Sequence, residues 1–162
     1  MNTKRTITLG VFIVATLGVV LSRFYLSVQN EHWDEKRVAV EKAYEGSMMT
    51  KASKVDFFYG DEAFQIVYGE NKLGQSLIAW VSDKDVHTEM TDEAFTKDQV
   101  IEAVSKKAAG SEIERVMPGK LGNDYVWEAF YKTKDDNGIR YFYDYYSFKE
   151  GKYMDTYRLS LQ

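Results

Sequence analysis

KVDFFYGDEAFQIVYGENKLGQSLIAWV, residues 54–81, is the stretch whose pattern decides the fold of this chain. Three short runs rich in β-branched and aromatic residues, 54–59, 62–68 and 76–81, are separated by Gly60 with Asp61 and by the glycine-bounded segment 69–74. Runs this short between breakers predict an antiparallel three-stranded meander. Immediately before it, residues 30–48 read as a helix. Trp33, Val40, Tyr44 and Met48, with Ala43 beside them, fall near one face at helical spacing, while Glu31, Glu35, Lys42 and Glu45 take other faces.

Further upstream, residues 6–22 (TITLGVFIVATLGVVLS) carry no charge and are flanked by Lys4 and Arg5 on one side and Arg23 on the other. A bilayer core of about 30 Å needs roughly 20 helical residues. Extension through Phe24, Tyr25 and Leu26, with Arg23 reaching back to the interface, supplies them. The expectation is a cytoplasmic tail over 1–5 and a single transmembrane anchor over 6–26. A cleaved signal peptide is the competing reading, but the residues after the apolar run offer no convincing pair of small side chains for cleavage. There is no cysteine to lipidate. Lys4 and Arg5 precede the run and no acidic residue occurs before Glu31, so the amino terminus is expected in the cytoplasm and the remainder outside. No glycine or proline lies between Gly18 and Gly46, so the anchor is free to continue into the following helix.

Composition narrows the function of that remainder. Residues 30–162 hold 18 Lys or Arg against 25 Asp or Glu, a formal charge of −7, with no basic block. Phosphate neutralisation needs clustered cations, so nucleic acid is not an expected partner. Without cysteine an exterior domain must be held by an ordinary buried core.

The second half repeats the order helix then strands. Thr96 opens a helix with Gln99 three residues later as a capping box; Val100, Ile101, Val104 and Ala108 form its apolar face, and Gly110 is placed to end it. Strands are expected at 112–117, 125–132, 139–148 and 152–161. Asp136, Asn137 and Gly138 make a hairpin signal between the second and third, and Lys149, Glu150 and Gly151 form the next turn. The predicted fold class is α+β: an N-terminal transmembrane helix, then two lobes, 30–90 and 91–162, each a helix plus an antiparallel meander.

The capped TKDQVIEAV helix, the aromatic strand YVWEAFY and the closing YFYDYYSFKEGKYM, which turns at Gly151 and Lys152, resemble a PepSY-type, cystatin-like unit. Taken with the short tail, the single anchor, the following helix and the 54–81 meander, the whole chain resembles the TseB-like (YpmB-like) family of Firmicutes cell wall elongation regulators. That resemblance implies a non-enzymatic protein on the outer face of the cell membrane. It also implies regulation of peptidoglycan synthesis through binding a class B penicillin-binding protein, the transpeptidase of the elongation machinery. It carries over no active-site residue, cofactor or metal. PepSY-like and cystatin-like folds also resemble modules that engage peptidases, and aromatic faces suit sugar rings. A membrane-tethered regulator of a peptidase and a sensor of wall glycan therefore stay open.

The residues themselves offer one functional clue. Twelve of the 24 aromatic residues lie between Tyr125 and Tyr157, and in 139–148 they occupy both alternating faces: Tyr141, Tyr143 and Tyr145 on one, Phe142, Tyr146 and Phe148 on the other. One face is expected under the second helix. The other is either a cross-strand aromatic ladder covered by the first half, or an exposed Tyr-rich docking surface drawn from Tyr141, Tyr143, Tyr145, Tyr146, Phe148 and Tyr153. Catalytic signals are weak. Asp83, Asp85 and His87 alternate as a small metal site requires, but they also suit a solvated turn and no fourth ligand is identifiable. His32 lacks an HExxH context, no GxSxG elbow occurs, and Asp135 with Asp136 fit a hairpin tip better than a carboxylate pair.

Overall fold

The computed structural model describes residues 3–136 and 138–160, and residues 3–14 and 24–33 by backbone alone. Helix α1 runs Thr3–Gly46. The chain divides into two compact units, Met1–Val38 and Ala39–Gln162.

In the first unit Leu17, Val19, Val20 and Leu21 are all exposed. Successive helical residues are turned about 100° apart, so these four spread apolar surface around the helix. Among the described residues no helix is long and apolar enough to cross a membrane. The expected anchor falls largely on 6–14 and 24–26, and its flanks Lys4 and Arg5 on the same backbone-only segment, outside the residues described with side chains; Arg23 is exposed.

The second unit holds two antiparallel sheets. The first is β1 (Met49–Tyr59), β2 (Ala63–Asn71), β3 (Ser76–Val81) and β4 (Val86–Met90), paired in chain order. Then come α2 (Lys97–Lys107) and the second sheet, β5 (Glu112–Leu121), β6 (Asp124–Asp135), β7 (Gly138–Ser147) and β8 (Tyr153–Leu159), again in chain order. The architecture is the expected mixture of helix and antiparallel sheet, with one strand more than the meander read in 54–81. VHTEM does not declare itself because only its ends are apolar. Its middle is held by pairing with β3 and by partners from the other sheet, the His87 ring on Tyr125 and Glu89 on Lys149.

The first sheet is covered on both faces. Val67, Leu77, Ala79 and Val81 lie under Ala39 and Ala43 of α1. Ile66, Ile78 and Trp80, from the opposite face, share one core with Val100 and Val104 of α2 and with Trp127, Ala129, Tyr146 and Phe148 of the second sheet. Two-sided burial is why SLIAWV reads as a continuous apolar run rather than an alternation. Trp80 fastens the seam: fully buried, it donates its indole N–H to the Gly119 carbonyl at 3.1 Å and meets the Phe148 ring edge-on at 4.8 Å. Phe58 of β1 lies against Gly119 so closely that a Cβ there would stand 2.3 Å from its ring. The second sheet has α2 and this core on one face.

Candidate functional site

The register of β6, β7 and β8 decides which aromatic side chains face outward. Phe130 pairs with Tyr143, Tyr143 with Tyr157, Lys132 with Tyr141, and Tyr141 with Leu159, so these residues share the face opposite α2. Phe130 stacks between Tyr141 and Tyr143, its centroid 5.6 and 4.7 Å from theirs. Tyr145 meets Tyr157 edge-on at 5.7 Å. Tyr141, Tyr143 and Tyr145 are half-buried, whereas Tyr157 is 51% and Leu159 41% exposed. Each cross-strand aromatic pair contributes about 0.2–1 kcal/mol, so this ladder stiffens the sheet and leaves its outer rim open.

Polar groups anchor the ladder from beneath. Glu128, buried on the same face, accepts from Arg115 at 2.8 Å and from the Tyr145 hydroxyl at 3.1 Å. Burial pushes the Tyr145 phenol up, and the Glu128 carboxylate adds to it, so Tyr145 stands as a neutral donor. The Tyr157 phenol is pushed up first by Asp155 and also by Asp61, from the β1–β2 turn. Two carboxylates from different elements therefore act on one exposed ring.

The six residues singled out in the sequence part company here. Tyr141, Tyr143 and Tyr145 line the open face. Tyr146 and Phe148 point the other way and are 3% and 2% exposed in the shared core, which removes them from any surface the free protein presents. Tyr153 is 46% exposed beside α2, where the Lys107 ammonium sits 4.0 Å from its ring centroid. Phe130, Tyr157 and Leu159, which the β7 pattern alone does not indicate, complete the open face; the period-two alternation of β6 and β8 places them there. Asp83, Asp85 and His87 do not converge. Asp83 pairs with Lys42 at 3.3 Å, Asp85 accepts from the Val86 N–H at 2.8 Å, and His87 contacts Glu89 at 2.9 Å. Among the described residues no three His, Asp or Glu side chains gather to hold a metal ion. Asp135 is spent on Arg140 at 2.8 Å.

Two packed antiparallel sheets with helix α2 make this an α+β protein, and its fold and part of its sequence have counterparts among known proteins. Residues 38–82 match the family described as "Cell wall elongation regulator TseB-like domain". The chain is 25% identical over 150 residues to the "Probable cell wall elongation regulator TseB" of Bacillus subtilis (strain 168), covering 91% of each. Its fold is that of the "YpmB protein from Bacillus subtilis", with a TM-score of 0.68 and 22% identity over 76% of this chain and 96% of that one. The chain is thus similar to TseB in sequence and to YpmB in fold, the resemblance that its sequence pattern indicated.

Proposed function

We propose that this protein is a non-enzymatic, membrane-anchored regulator of cell wall elongation that binds a class B penicillin-binding protein outside the cell membrane. Support for the regulatory role comes from the TseB-like sequence over nearly the full chain. The observation that carries a binding role is the open ladder of Phe130, Tyr141, Tyr143 and Tyr145, since aromatic side chains with polar tips are enriched where proteins meet. The uncharged run 6–22 is the proposed anchor, with Lys4 and Arg5 inside and Arg23 at the outer interface, and the two sheet-bearing lobes are the proposed PepSY-like, cystatin-like units. An anchor confines the search for a membrane partner and raises effective concentration, so a weak interface suffices.

Pull-down of the full chain from chemically crosslinked membranes tests this reading. A class B penicillin-binding protein in the captured fraction is the expected result. A peptidase alone, or glycan with no protein, overturns it.

A further inference from the structure

The open face of the second sheet has a charge character as well as an aromatic one. At its Tyr145–Tyr157 end the register sets two carboxylates on either side of Tyr145, Glu128 on β6 and Asp155 on β8, and the charge of Asp61, in the turn between β1 and β2, also acts on Tyr157. The cation paired there is Arg115, and it is already engaged by Glu128. Asp155 accepts the neighbouring Thr156 N–H at 2.8 Å, and no ion pair holds Asp155 or Asp61 among the described residues. The Tyr157 phenol registers both charges, because each pushes it up although the ring is exposed. The face thus offers an uncompensated negative field over an accessible aromatic ring, flanked by half-buried Tyr143 and Tyr145 and by exposed Leu159.

That combination selects one kind of occupant. A Lys or Arg side chain laid over Tyr157 gains the cation–π attraction, its methylene stem covers Leu159 and Tyr143, and its charge finds Asp155 and Asp61. A neutral glycan finds fewer ring faces, because Phe130 is stacked on both Tyr141 and Tyr143. A second copy of this acidic chain brings its own negative charge to the same place. We propose that the Tyr143–Tyr145–Tyr157–Leu159 face, with Asp155 at its rim, docks a basic segment of a protein partner, a segment that presents Lys or Arg to Tyr157. This names the contact within the binding role proposed above and rests on that reading.

The test places a photoreactive phenylalanine at Leu159 of the full-length chain in living cells, identifies the captured protein and maps the contact peptide by mass spectrometry. Capture through a peptide bearing Lys or Arg is expected. In the Asp61→Lys, Asp155→Lys double variant, whose substitutions are on exposed side chains, capture is expected to fall at least about tenfold with the melting temperature unchanged. A contact peptide without Lys or Arg, capture that survives the charge reversal, a crosslinked dimer of this chain, a glycan adduct, or no capture each overturns the proposal. The two readings fail separately. Capture of some other protein through a basic peptide keeps this face and sinks the transpeptidase reading. A transpeptidase captured from a control position at Leu73, on the β2–β3 turn, and not from Leu159 does the reverse.

Discussion

Asp144 is fully buried on the core face of β7, and the chain surrounds it with donors. Lys107 at the end of α2 reaches it at 3.0 Å, the hydroxyls of Tyr131 and Tyr146 at 3.3 and 3.4 Å, and Thr156 of β8 closes the set. Burying a charge is expensive unless every lone pair is met, so these partners are what make an aspartate tolerable inside YFYDYYSF. Asp144→Ala is expected to cost about 3 kcal/mol, because two buried phenols lose their acceptor; an unfolding free energy from urea titration that falls by less than a quarter of that would contradict this account. Gly151 shows the same dependence on distant chain. Its φ of +64° suits glycine, and a Cβ there would stand 2.3 Å from the Phe95 ring. The turn is readable from Lys149, Glu150 and Gly151, whereas the ring that forbids a side chain comes from 56 positions earlier in the numbering and is not.

Among the elements, α2 was legible nearly to the residue. Thr96 accepts from the Gln99 N–H at 3.3 Å and Gln99 accepts from the Thr96 N–H at 2.8 Å, the reciprocal cap that the spacing announces. Its end differs from expectation. The C-cap is Ala108, and Gly110, at φ +80°, turns the chain two residues later, with Ser111 N–H donating to Ala108. Thr96→Ala is expected to lower stability by about 1 kcal/mol, while Thr96→Ser is expected to be nearly silent; thermal melts of the two variants side by side decide it. β1 begins at Met49, well before the run at 54–59, because pairing with β2 rather than local propensity extends it, through two register shifts. β4 is the extreme case. Two apolar residues cannot announce a strand, and the stacking of His87 on Tyr125 and the pairing of Glu89 with Lys149 come only with the second half of the chain.

For the whole molecule, one core binding both sheets predicts how the protein fails in alkali. Burial, then the Asp144 charge, pushes the Tyr131 phenol up to about 12, and burial pushes Tyr68, Tyr145 and Tyr146 in the same direction. The fold therefore prefers these phenols protonated. That contribution is fully present below about pH 10, where an unfolded tyrosine ionises, and is lost as pH rises toward 12. Urea midpoints are expected to hold steady up to pH 9 and fall between pH 10 and 12, less steeply in Tyr131→Phe; a midpoint unchanged across that window would refute it. By itself the sequence determined what short-range chemistry can write: the uncharged run at 6–22, the capped second helix, most strands and the alternation within β7, all matters of local periodicity, capping and turn residues. Only the tertiary structure decided that Tyr146 and Phe148 serve the core while Phe130, Tyr157 and Leu159 join the open face. Side-chain period fixes which residues share a face, but which face is covered depends on what packs against it, and that comes from chain far away in sequence.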